Sequence, residues 1–388
     1  MLADAFAKLR NLKTIGIRDY DGKGRWRDGS AALWRSYGWS SVGNSDPSSR
    51  PFRPRMNTEL VLPLLLYSLD KASTGLEHIE VFLRRNRLSD ASFDLSPSFM
   101  QTNAVPVLSN LKTLLLSLQT CEARTHANMY FPVGGGPTVD DNALFRNLKD
   151  FLGHTPLLEH LRLNFNGTER PSSCATELLA WLGTSPGSAV KKTPAPINLD
   201  HLTALDLGMV HVEAHNLLNI VSKFAKLEAL SLWKVVLQDT QKDPDYSERD
   251  SGCLWSYYLR KLGQAFQAPE DVKTLMLGWL AEGVIAYGAP RQTRFAGKTN
   301  VDGNGIKTFE DVEDVVKYRK RVGSNACEWL EELGDKAFSP TVEMYSSDNS
   351  DEDDEGDEGD EGDSDDSAAV RLQVISDDED DNDDDEDE

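Results

Sequence analysis

Between Leu199 and Leu232 the chain alternates, then turns helical, then alternates again. Leu202, Leu205 and Leu207 form the pattern L-x-x-L-x-L, and Leu227, Leu230 and Leu232 repeat it 25 residues later. Between them Ala214, Leu217, Leu218, Val221 and Phe224 recur at helical spacing. Period two, then period 3.6, then period two is the mark of a strand, a helix and a second strand. In the strands Leu205 and Leu207 point one way and Asp206 the other. One such unit cannot bury its own leucines, so it needs neighbours of the same kind.

The neighbours are present. With Ile and Val allowed, the pattern also occurs at Leu12-Ile15-Ile17, Leu76-Ile79-Val81, Leu111-Leu114-Leu116, Leu158-Leu161-Leu163 and Val272-Leu275-Leu277. Successive starts lie 64, 35, 47, 44, 25 and 45 residues apart, so most units carry insertions. Repeats of about 20–29 residues with this leucine spacing are leucine-rich repeats. The expected fold is therefore α/β: an irregular leucine-rich-repeat solenoid over 1–280, with parallel strands on its concave side and helices on its convex side. No polar cap precedes the first helix, so the array is expected to open as an interior repeat.

The insertions and ends carry further expectations. Residues 20–56 read as a loop anchored by Trp26, Trp34 and Trp39. Asn57 is placed to cap a helix reaching Lys71, in which Pro63 fits poorly. Helices are expected near 144–152, 176–182 and 254–266. Residues 281–340 read as a helical extension, with short helices over 309–322 and 326–334. Residues 341–388 read as a disordered acidic tail.

The charge is unevenly distributed. The formal net charge is −23, yet Asp348–Glu388 holds 24 acids and one base, Arg371. Taking those from the totals of 64 and 41 leaves 40 acids and 40 bases before it. The tail carries the whole imbalance. The four cysteines, Cys121, Cys174, Cys253 and Cys327, are widely spaced and read as reduced thiols. No secretory signal and no apolar run of membrane-spanning length is visible. Nuclear or cytoplasmic residence, with no membrane and no direct nucleic-acid partner, is expected.

Chemistry-bearing motifs are weak. Ala296–Thr299 ends like a phosphate-binding loop but lacks its earlier glycine. Asn300, Asp302, Asn304 and Asp311 resemble a calcium loop with an apolar position out of place. His211 and His215 fall four apart on an expected helix without a third metal ligand. Lys317–Arg321 is a short basic cluster. No cofactor, metal or catalytic group is expected, and the chain reads as a non-enzyme.

The opening LADAFAKLRNLKTIGIRDYDGKGRWRDG, the following WRSYG, and the repeats LLEHLRL, LDHLTALDL and KLEALSL resemble fungal F-box and leucine-rich-repeat proteins over roughly 1–280. The resemblance implies substrate recognition for a cullin–RING ubiquitin ligase. The Leu-Pro-x-Glu-like opening of an F-box is not seen in the sequence. A second resemblance, to acidic leucine-rich nuclear proteins, implies binding of histones or other basic proteins through the tail.

Two binding surfaces follow. The residues between and just after the inward positions, Arg18, Glu80, Phe82, Arg162, Asn164, Asp206, Ser231, Trp233 and Met276, are expected to line a concave protein-binding face. In the tail, Leu372, Val374 and Ile375, followed by Ser376 and an acidic run, resemble a SUMO-interaction motif, which adds a strand to a sheet edge.

Overall fold

Each leucine pattern is a strand. In the computed structural model these are β1 (Thr14–Arg18), β2 (His78–Phe82), β3 (Thr113–Ser117), β4 (His160–Asn164), β5 (Ala204–Glu213), β6 (Ala229–Gln238) and β7 (Thr274–Gly278). The structure describes residues 2–18, 58–73, 75–83, 87–95, 104–120, 145–165, 171–187, 194–238, 253–283, 290–295, 317–321 and 325–339. All lie in the compact unit Met1–Thr341; Val342–Glu388 form a second unit outside the described residues.

β1 to β7 lie side by side in chain order, each parallel to the next. Parallel neighbours need a crossover, and helices supply it. α1 (Leu2–Lys8), α2 (Thr58–Ala72), α3 (Val105–Leu108), α4 (Arg146–Gly153), α5 (Ser173–Gly183), α6 (Ala214–Lys223) and α7 (Leu254–Ala265) each precede the strand of the same number. The register aligns the leucine patterns. Ile15, Ile79, Leu114, Leu161, Leu205, Leu230 and Leu275 form one continuous row. With the buried faces of α2 to α7, Ile79 to Leu275 of this row make a single apolar core, which Ile15 borders. Pro63 sits inside α2 after all. It falls early in the helix and removes only the bond to the Glu59 carbonyl.

β5 and β6 are twice the length of the others because they turn a corner. Met209, Lys234 and Trp279 hold the left-handed conformation at φ 54°, 51° and 53°, one residue past Gly208, Trp233 and Gly278. Beyond the corner Val210 faces Val235, and β8 (Ala281–Glu282) continues beside β6.

The segment after β7 departs from the expected helical extension. β8 pairs with β9 (Arg291–Gln292), and β10 (Arg294–Phe295) pairs with β12 (Ala337–Phe338). Residues 317–321, expected in a helix, form β11 (Lys317–Arg321), antiparallel to β7. Residues 309–316 lie outside the described residues, and the other expected helix forms as α8 (Ala326–Lys336), which Asn325 caps by accepting the Glu328 N–H. It packs on α7 through Gly334, where a Cβ would lie 2.8 Å from the Ser256 carbonyl oxygen. Ser256 Oγ donates to the Gly334 carbonyl at 2.7 Å. His211 and His215 do not share a helix: His211 lies buried in β5, and His215 in α6. Among the described residues no helix is long and apolar enough to cross a membrane.

Candidate interaction face

Because strand side chains alternate, the positions between the leucines share the opposite face of the sheet. The register brings Glu80, Leu115, Arg162, Asp206, Ser231 and Met276 into one row. A second row runs through Asn164, Gly208, Trp233 and Gly278, and Arg18 faces Phe82 at its start. The residues singled out by alternation thus share one face.

Charge is arranged along it. Arg162 Nε donates to Asp206 Oδ2 at 3.0 Å. His160 Nε2 lies 2.8 Å from the same oxygen and donates to it, since a carboxylate only accepts. Burial alone would raise the Asp206 pKa. The Arg162 charge, the His160 ring and hydrogen bonds from His160 and Ser231 outweigh it and hold the carboxyl well below its ordinary range. Phe82 lies between two guanidiniums, with Arg18 5.3 Å and Arg162 5.9 Å from its ring centroid. Trp233 and Met276 pack together as a cluster separate from the main core.

The face is not uniformly open. Arg162 and Asp206 are each 4% exposed, and Asn164, Ser231, Trp233 and Met276 are buried as well. An open recognition surface along every strand is therefore corrected. A buried charge is tolerable only when paired and hydrogen-bonded, and the Arg162–Asp206–His160 cluster meets that condition. The accessible part lies at the β1–β2 end, where Arg18 is exposed and Glu80 and Phe82 are half-buried.

Two further features escape alternation. The residues just before the strands form a charge ladder. The backbone N–H groups of Glu77, Lys112, Glu159, Thr203, Glu228 and Lys273 each donate to the carbonyl of the rung before, starting at Lys13. Glu77 lies 2.6 Å from Lys13 Nζ and 3.1 Å from Lys112 Nζ, and Lys273 lies 2.5 Å from Glu228. Hydrogen bonds from the two lysines lower the Glu77 pKa to about 2. The second feature is a buried acid. Glu282 accepts the Leu254 N–H at 2.7 Å, at the N-terminus of α7, and pairs with Arg291 at 2.8 Å. A carboxylate there complements the helix dipole. Beside it, burial pushes the Cys253 thiol up to about 11, the reverse of what a nucleophilic thiol needs.

Cys174 is disulfide-bonded, while Cys253 and Cys327 are free; this corrects the reading of four reduced thiols. Among the described residues no group of three or more His, Cys, Asp or Glu is placed to hold a metal ion. The tail residues Leu372, Val374, Ile375 and Ser376, the candidate loops over 296–311 and the tryptophans at 26, 34 and 39 lie outside the described residues. In comparisons with known proteins, no family model and no curated protein matches the sequence.

Proposed function

We propose that the chain is a protein-interaction module: an irregular leucine-rich-repeat solenoid that recognises a partner protein at the β1–β2 end of its strand face. In the reading that the F-box resemblance supports, the partner is a substrate of a ubiquitin ligase. The observation that carries the proposal is the unbroken parallel register of β1 to β7, each strand preceded by its own helix. Such an array is how leucine repeats present an ordered row of side chains. At its accessible end the face offers the half-buried Phe82 ring beneath the exposed Arg18 guanidinium, arginine being enriched at binding hot spots. The acidic tail supports a second reading, capture of histones or other basic proteins.

A photo-crosslinking amino acid at Phe82 should capture one dominant partner from cells. The same group at Leu64, exposed on α2, should not. Loss of about 2 kcal/mol on Phe82→Ala, roughly 30-fold in Kd, is expected for a hot-spot side chain. Equal capture at both sites, or unchanged affinity with Phe82→Ala, counts against the reading. Persistence of the partner after proteasome inhibition, together with recovery of a cullin adaptor, would tie it to ligation. Capture of histones that is lost when 341–388 are removed would favour the second reading.

A further inference from the structure

The edge of β1 is built like the inner strands but, among the described residues, has no second neighbour. Among the described residues β1 pairs only with β2. The His78 N–H donates to the Lys13 carbonyl, so positions 13, 15 and 17 turn their backbone groups toward β2. Thr14, Gly16 and Arg18 turn theirs away, and among the described residues no hydrogen bond is made on that side. An unpaired row of N–H and C=O groups is a template for another strand.

The side chains tell the same story. Ile79 and Leu205 in the row of Ile15, and Val81 and Leu207 in the row of Ile17, are 0% exposed, whereas Ile15 and Ile17 are only half-buried. α1 has no buried residue, and its flank leaves Leu2 and Leu9 about half exposed. The apolar core therefore stops short at this edge.

The charge ladder identifies what fits. Glu77 has a lysine on each side, but Lys13 has Glu77 on one side only, and its side chain is 65% exposed. The next rung outward calls for an acid. A second copy of this edge is a poor match: Lys8, Arg10, Lys13 and Arg18 stand against Asp4 in residues 2–18, and like charges repel across an interface.

We infer that the outer edge of β1 docks a parallel strand from a second polypeptide of the pattern acid-x-aliphatic-x-aliphatic. Its acid pairs with Lys13, and its two aliphatic side chains cover Ile15 and Ile17. Strand addition of this kind takes affinity from the main chain and specificity from alternate side chains. The edge is distinct from the face around Phe82, and the inference stands whether or not that face binds a partner.

The probe is a fluorescein-labelled peptide with the sequence of residues 75–83, which carries the pattern through Glu77, Ile79 and Val81. Titrated with the full chain, it should bind saturably and protect the outward amides of Thr14, Gly16 and Arg18 from exchange. Lys13→Glu should weaken it at least tenfold, and a peptide with lysine at the Glu77 position should restore binding to that variant. Glu77 of the chain keeps Lys112 in the Lys13→Glu variant, and Lys13→Gln serves as a milder second variant. Gly16→Pro, which removes an outward N–H, should abolish binding. The inference is overturned by affinity indifferent to both Lys13 variants, by failure of the charge swap, or by lost protection in β2, which would mean displacement of that strand. Self-association of the free chain through Gly16, seen by sedimentation, would also overturn it by making the occupant a second copy.

Discussion

Asp206 shows what a single residue can carry in this sheet. It is buried, ionised and held by three neighbours, and its guanidinium partner Arg162 is equally buried. Removing one charge leaves the other unpaired, so Asp206→Asn should destabilise the chain by about 3–5 kcal/mol, read as a lower urea midpoint. Replacing both partners together, Arg162→Met with Asp206→Leu, should recover most of that loss. The pH sign follows from the direction of the shift. The folded pKa is depressed, so the stabilisation is full above the ordinary carboxylate range, about 3.9, and is lost as pH falls toward the folded value. Acid unfolding of the wild type should therefore include a component absent from the double variant. Trp233 behaves similarly: it is buried against Met276, so Trp233→Ala should cost about 3–5 kcal/mol of stability. An unchanged melting temperature would show the ring to be dispensable for folding. Alternation alone placed both residues on the right face. It could not reveal the pairing, because Arg162 and Asp206 are 44 residues apart in the chain.

At the scale of elements, the corner shared by β5, β6 and the end of β7 is the feature least visible in sequence. Met209, Lys234 and Trp279 are poor candidates for a left-handed backbone, which favours glycine and asparagine. The corner repeats because the paired strands must bend together. Lys234→Val should destabilise by about 1–2 kcal/mol, since a β-branched residue resists this conformation, whereas Lys234→Asn should stay within about 0.5 kcal/mol. Equal effects in thermal melts would refute backbone strain at the corner. Lys223 joins two elements: its Nζ donates to the Leu182 and Thr184 carbonyls at the end of α5, at 2.8 and 2.7 Å. Desolvation lowers its pKa to about 8. Its charged form is thus disfavoured by folding, and stability from this group should rise as pH climbs from about 8 toward the unfolded value near 10.4. Lys223→Gln should lack that rise. The longer helices were legible because their apolar faces repeat at 3.6 residues, whereas α3, four residues long, shows no such repeat. β11 was not: Lys317–Arg321 is charged and helix-compatible, and the open edge of β7 decides its state.

For the molecule as a whole, burial is graded along the sheet. The main core runs without a break from Leu62 to Ala337, but Phe6, Leu12, Ile15 and Ile17 only border it. β7 is closed by β11, while β1 has no described neighbour beyond β2. In an array each unit is stabilised by its nearest neighbours, so a unit with one neighbour opens first. Amide exchange should therefore be fastest in α1 and β1 and slowest in β4 to β6. Substitutions should follow the same gradient. Leu205→Ala, at a fully buried central position, should cost about 2–5 kcal/mol and lower the global unfolding midpoint. Ile15→Ala should cost less and should speed exchange only in α1, β1 and the adjoining β2. If Ile15→Ala instead lowers protection equally in β5 and β6, the units do not open one after another, and the chain unfolds as a single cooperative block.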